Sequence, residues 1–77
     1  MVTSEQIRGA RAMLRWEQKQ LSKASGVSIP TIKRMEAGSG PVRGTYENVL
    51  AIQTALEDAG VEFVDANGGG PGVRLRG

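Results

Sequence analysis

The stretch QLSKASGVSIPTIKRMEAG, from Gln20 to Gly38, decides the fold of this chain. It predicts two short helices joined by a tight turn at Gly26, because a glycine directly after a helix readily takes the left-handed conformation that ends it. The second helix carries Lys33 and Arg34 side by side near its middle. A braced helix with a basic outward face is typical of proteins that insert this helix into the major groove of DNA.

Capping residues and hydrophobic periodicity extend this pair to four helices. Thr3 and Gln6 have the spacing of a capping box at the first helix. Ser28 is a suitable N-cap for the third helix, and Pro30 falls in its first turn, where a missing amide costs little. Glu17 stands where a small capping residue is usual for the second helix. The predicted helices span residues 4–14, 18–25, 29–37 and 45–59.

Apolar side chains at helical spacing predict which helix faces are buried. Ala24 is expected to be buried where two helices cross closely, and Trp16 is expected to pack between the first two helices. The other expected core residues are Ile7, Ala10, Met13, Leu14, Leu21, Val27, Ile32, Met35, Val49, Ile52, Ala55 and Leu56.

After Gly60 the pattern changes from helix to strand. Val61–Val64 is short and partly β-branched, residues 73–76 alternate strictly, and the glycine-rich residues 65–72 lie between them. We therefore expect two short strands around a loop. The loop lacks the Lys-Ser/Thr ending of a phosphate loop. Two strands alone are marginally stable, so these should pair with a second chain or pack back on the fourth helix.

Composition argues against catalysis and metal binding. The chain has 77 residues with no cysteine and no histidine, so disulfides, zinc thiolates and a histidine base are excluded. Nor does it contain a cluster of convergent carboxylates. Glu5, Arg8 and Arg11 interrupt the first residues, which argues against a membrane span. The sequence predicts no enzyme, no cofactor, no metal and no membrane partner.

Charge is distributed unevenly along the chain. Residues 8–43 hold eight basic and two acidic side chains, whereas residues 44–65 hold five acidic and no basic ones. A basic half next to an acidic half favours a nucleic-acid face backed by a surface that repels phosphate. Ordinary solvated helix surface is the alternative.

From about Ile7 to Gly60 the sequence resembles the Cro and phage-repressor family of helix-turn-helix regulators, often called XRE-like. The segments GVEF from Gly60 and GGGPGVR from Gly68 resemble the end of small bacterial members. The residues that carry the main resemblance are Gln18, Leu21, Ala24, Gly26, Val27, Ser28, Ile32, Met35, Glu36 and Gly38.

The resemblance implies a mainly α, lambda-repressor-like DNA-binding domain of four to five helices, with a short C-terminal β-hairpin or strand pair. It implies a helix-turn-helix domain over residues 1–60, followed by a β segment over residues 61–77. This segment would be a dimerisation element if its strands paired with those of a second chain. The implied function is a sequence-specific, homodimeric transcriptional regulator. It would bind double-stranded DNA as a repressor in the bacterial cytoplasm, associated with the nucleoid.

Site residues follow from the resemblance. Gln18 would contact phosphate and help orient the start of the third helix, and Arg43 would contact the DNA backbone. The residues that would face the groove are Ile29, Pro30, Lys33 and Arg34. The planar guanidinium of Arg34 matches guanine O6 and N7, whereas Lys33 would contact the groove or only phosphate. Arg11 and Glu36 would form an internal salt bridge. The full set of expected DNA-binding residues is Gln18, Ser28, Ile29, Pro30, Thr31, Lys33, Arg34 and Arg43.

Two alternatives remain open. An antitoxin or controller protein would use the same fold. A protein-interaction module without DNA binding is favoured by Ile29 and Pro30, which stand where polar base-reading residues are common. These two side chains donate no hydrogen bonds, although they can contact thymine methyl groups.

Overall fold

The computed structural model describes residues 2–65 and 70–76. Within these residues the chain is mainly α, with an antiparallel strand pair at its C-terminal end. None of the described helices is long and apolar enough to cross a membrane. The elements in chain order are α1 (Ser4–Leu14), α2 (Gln18–Ser25), α3 (Ile29–Glu36), α4 (Tyr46–Asp58), β1 (Val61–Val64) and β2 (Gly72–Leu75).

The helices begin and end where capping chemistry places them. Thr3 and Gln6 form the capping box of α1, in which each side chain accepts a backbone amide of the other. Ser28 and Thr45 cap α3 and α4 through their hydroxyls. Gly26 ends α2 in the left-handed region with φ 77°. Gly26 and Ser28 together set the turn between α2 and α3.

Five predicted boundaries differ from the structure by one residue, three at helices and two at the second strand. The predicted third and fourth helices included Ala37, Thr45 and Ala59, which are cap residues rather than helical ones. An N-cap keeps extended backbone angles, and Thr45 has φ −69° and ψ 153°. The second strand begins at Gly72 and ends at Leu75, because its register opposite β1 pairs Val64 with Gly72.

The two strands pair with each other and pack against the helices. Val61 is completely buried, and Phe63 and Val73 lie against the core. β1 contacts α4 and β2 contacts α1. A Cβ atom on Gly9 would lie 3.3 Å from Val73 Cγ2, so α1 lacks a side chain where β2 crosses it. Half of the predicted glycine-rich loop, residues 66–69, lies outside the described residues.

Gln6 connects the N-terminus of α1 to this hairpin. Its Oε1 accepts the Thr3 amide at 2.8 Å, as part of the capping box. Its Nε2 donates to the carbonyl oxygens of Val64 at 3.2 Å and Gly72 at 2.9 Å. The side chain is almost fully buried. One amide group therefore satisfies backbone groups of three separate residues.

The core lies between the four helices and β1, and two residues expected in it are absent from it. Met13 is 41% exposed because Ile7 and Ala10 set the buried face of α1, with half-buried Leu14 beside them. Ala24 is exposed because α2 buries only Leu21. The buried apolar residues are Val2, Ile7, Ala10, Leu21, Val27, Ile32, Met35, Ile52, Ala55, Leu56 and Val61.

Candidate nucleic-acid interface

α3 has one buried face and one solvent-facing face. Ile32 and Met35 are essentially fully buried, which fixes the rotation of the helix about its axis. Ile29 and Thr31 are half-buried. The exposed residues of the candidate site are Ser28, Pro30, Lys33, Arg34 and Arg43.

A chain of hydrogen bonds runs along the exposed side of α3. Ser28 Oγ donates to Thr31 Oγ1 at 2.9 Å, and Arg34 Nη2 donates to the same hydroxyl at 3.1 Å. These residues are three apart, so they lie along one ridge of the helix. The contact directs the guanidinium of Arg34 back towards the N-terminus of α3.

Lys33 stands apart from this ridge. Its side chain is exposed and makes no hydrogen bond or ion pair with any residue in the ranges 2–65 and 70–76. A lysine ammonium is a compact point charge that suits phosphate as a ligand. Lys33 is therefore free, within the described part of the chain, to contact an external anion.

Arg34 and Arg43 line the same surface depression at the C-terminal end of α3. Two guanidinium side chains at one concave surface raise the local concentration of anions there. The other residues that line the depression are Ser4, Ala37, Gly38, Ser39 and Pro41. The structure thus brings together two of the predicted DNA contacts.

The loop that carries Arg43 is attached to the N-terminal segment. The Ser4 amide donates to the Gly40 carbonyl at 3.0 Å, and the Gly40 amide donates to Glu5 Oε1 at 2.9 Å. The Val42 amide donates to the Val2 carbonyl at 3.0 Å. These backbone contacts hold the loop in one position relative to α1.

The carboxylate of Glu5 is stabilised in its charged form by this attachment. Hydrogen bonds from its own backbone amide and then from the Gly40 amide lower the pKa of Glu5 below its usual range, and the nearby Arg8 adds to the effect. A carboxylate that accepts backbone amides favours ionisation. Protonation of Glu5 would therefore weaken its contact with the loop.

Arg11 and Glu36 form a bidentate ion pair between α1 and α3. Arg11 Nε and Nη2 each lie 2.9 Å from a different oxygen of Glu36. Arg11 Nη1 also donates to the Trp16 carbonyl at 2.8 Å. Glu36 is only 4% exposed, so this pair supplies the partner that a buried carboxylate requires.

Gln18 belongs to the same network. It is half-buried, and its Nε2 donates to Glu36 Oε1 at 3.2 Å. The sequence predicted that Gln18 would help orient the start of the third helix. Its contact is instead with the last residue of α3, so Gln18 positions the helix from the C-terminal end.

Arg8 is a positioning residue that the sequence analysis missed. Its Nη1 donates to the Gly38 carbonyl at 2.7 Å and also to the Glu36 carbonyl. Ser4 Oγ donates to the Met35 carbonyl at 2.7 Å. Side chains of α1 therefore satisfy carbonyls that the end of a helix leaves without intrahelical partners. The spacing of Arg8 and Arg11, about one helical turn apart, could have indicated that both face α3.

With Arg8 and Arg11 in internal contacts, six of the basic residues in the first half of the chain stay exposed. The exposed set is Arg15, Lys19, Lys23, Lys33, Arg34 and Arg43. Among the described residues no group of three or more acidic side chains could hold a metal ion. These six side chains are open to contact with solvent anions.

No protein-family model matches the chain, and no curated protein matches its sequence. The functional interpretation therefore depends on the geometry of α3 and its supports.

Proposed function

We propose that this chain is a sequence-specific DNA-binding transcriptional regulator with a lambda-repressor-like helix-turn-helix domain. The observation that supports it best is the contrast between the two sides of α3. Its inner side is fixed by buried apolar residues and by the Arg11–Glu36 pair, whereas Lys33 and Arg34 face solvent. A helix that is held rigidly and exposes cations fits the requirements of a recognition helix.

In this proposal α3 enters the major groove with its N-terminal half towards the bases. Ile29 and Pro30 contact thymine methyl groups, and Arg34 pairs with guanine O6 and N7. The phosphate contacts are made by Lys33, Gln18 and Arg43. Ser28 and Thr31 lie on the same ridge of α3 as Arg34. Because the contacts of α1 already fix α3, docking costs little ordering entropy.

The depression shared by Arg34 and Arg43 supports a second role for Arg34. If the Arg34 side chain turned away from Thr31, both guanidinium groups would hold one backbone phosphate at the end of α3. Loss of a phosphate contact weakens binding to all sequences equally. Loss of a base contact removes about 1–3 kcal/mol of discrimination at one position. These two roles therefore give different patterns when Arg34 is substituted.

The regulator acts as a homodimer in this proposal, with the hairpin as the dimerisation element. Leu75 on β2 is 50% exposed, and β1 and β2 each have a strand neighbour on one side only among the described residues. Two copies would place their α3 helices about 34 Å apart, one turn of DNA. Occupation of an operator in the bacterial cytoplasm would then block polymerase.

A protein-interaction module of the same fold is the second candidate. The exposed Pro30 and half-buried Ile29 favour it, because they offer apolar surface where hydrogen-bonding side chains would otherwise read bases. An antitoxin or controller protein would combine DNA binding with binding of a protein partner.

A salt titration of duplex binding separates these candidates. The logarithm of the association constant should fall linearly with the logarithm of salt concentration, with a slope of about −0.9 for each phosphate neutralised. Removing Lys33 should make the slope shallower by about one for each bound chain, and so by about two for the proposed homodimer. A Lys33→Arg chain is the matched control, because it keeps the positive charge at the same position and should keep the slope unchanged. A flat titration would favour the interaction module.

A further inference from the structure

A groove between α4 and the C-terminal end of α2 takes no part in the proposed DNA contacts. It runs along α4 from Glu47 to Asp58, a length of about 17 Å at the helical rise. Apolar side chains form its floor, and Leu50 is 46% exposed there. The residues that line the groove are Ala24, Ser25, Glu47, Leu50, Ala51, Thr54, Ala55 and Asp58.

Carboxylates stand at both ends of this groove. Glu47 lies in the first turn of α4 and Asp58 is its last residue, and both side chains are exposed. The chain has no basic residue between Gly44 and Val73, so α4 itself supplies no cation. Arg76 lines a depression beside Asp58, but neither Glu47 nor Asp58 forms an ion pair within the described residues. Such a surface combines an apolar centre with negative ends, which selects for the opposite pattern in a partner.

We propose that this groove binds an amphipathic helical segment of another protein, with an apolar stripe flanked by lysine or arginine at both ends. An apolar helix face laid into a groove is a recurrent mode of peptide recognition. The cations of the partner would meet Glu47 and Asp58, while its apolar residues cover Leu50 and Ala51. This site is separate from the proposed DNA-binding face and goes beyond the proposed function.

The charges favour such a partner over a second copy of this chain. Two α4 helices packed antiparallel about a twofold axis would bring Glu47 of each copy towards Asp58 of the other. A parallel pair would bring each carboxylate towards its own equivalent. Both arrangements place like charges together, which disfavours association.

The test uses the full chain, labelled with ¹⁵N, and a synthetic peptide of about 17 residues with leucines at helical spacing and three lysines at each end. We expect saturable shifts of the Ala24, Leu50, Ala51 and Thr54 amides. Leu50→Ala should weaken binding about tenfold, as loss of a central apolar anchor does. Met13→Ala is the matched control, because Met13 is 41% exposed on α1 and does not line the groove, and it should leave affinity unchanged.

The role of charge is tested by Asp58→Lys. A lysine at the C-terminal end of a helix is favourable, so this change should not destabilise the fold. It should weaken peptide binding at least fivefold, whereas Asp65→Lys should not. A peptide with glutamates in place of the lysines should fail to bind. The proposal is overturned if a peptide with a scrambled stripe binds equally well, or if the shifts fall outside α2 and α4. Concentration-dependent shifts of α4 without peptide would assign the groove to a second copy and overturn it too.

Discussion

Arg11 and Glu36 join α1 to the end of α3 through two parallel hydrogen bonds, each 2.9 Å long. Gln18 donates to the same carboxylate from α2. One buried acid therefore links three helices at the base of the proposed recognition helix. The rigidity of α3 depends on this junction because α3 has only eight residues, and an isolated helix of that length is unstable in water.

Removing Arg11 should destabilise the fold strongly. Arg11→Ala leaves Glu36 buried without its cation, and we expect the free energy of unfolding to fall by about 3 kcal/mol. Urea denaturation measures this change. The matched control is Arg74→Ala, which breaks the exposed pair with Glu62 and should cost less than about 1 kcal/mol. Equal losses of unfolding free energy in the two variants would contradict the claim that Arg11 and Glu36 join α1 to α3.

Gln6→Glu separates the two roles of Gln6. The variant retains an oxygen for the Thr3 amide, but it cannot donate to the carbonyls of Val64 and Gly72. We expect a loss of about 1–3 kcal/mol in unfolding free energy. Amide hydrogen exchange should accelerate most in β1 and β2. Uniform acceleration throughout the chain would show that Gln6 does not hold the hairpin specifically.

Arg15 ends α1 in the left-handed region, with φ 57°. A residue with a Cβ atom pays about 1 kcal/mol for this conformation, whereas glycine does not. Arg15→Gly should therefore be more stable than Arg15→Ala by about 1 kcal/mol, although both lose the same charge. Thermal denaturation of the two variants gives the comparison. If the alanine variant were equal or more stable, the left-handed cap would carry no strain.

The pH dependence of stability should include Glu5. Its pKa is lowered in the folded chain by its own amide and the Gly40 amide, and the unfolded value is about 4.3. The stabilising contribution is therefore complete above about pH 4.3 and is lost as pH falls through the lower, folded-state pKa.

A carboxyl-detected NMR titration measures the Glu5 pKa directly, and Glu5→Gln should reduce the loss of stability on acidification. A folded-state pKa at or above the ordinary value would show that the Gly40 contact does not form in solution.

Local chemistry made much of this fold predictable. Ser28, Thr45 and Gly26 act through hydrogen bonds and backbone angles that extend only a few residues, so the helix ends followed from the sequence to within one residue. The expectation that the strands could pack back against the body is confirmed, although they pack on α1 as well as α4.

Features that depend on how elements meet were harder to predict. Periodicity placed Met13 and Ala24 in the core, but the crossing of the helices leaves both exposed. The contacts of Arg8 with the end of α3 and of Gln6 with the hairpin link residues 28 to 66 positions apart. No local pattern encodes such distances. The position of Arg43 beside Arg34 likewise depends on how the loop is attached to the N-terminal segment.

The central claim, that α3 reads DNA sequence, is tested most directly by selecting bound duplexes from a random pool with the full chain and with Arg34→Ala. The account predicts that the full chain enriches one motif with two half-sites, and that the variant loses preference at one guanine in each half-site while keeping the other positions. Failure of the full chain to enrich any motif would contradict it.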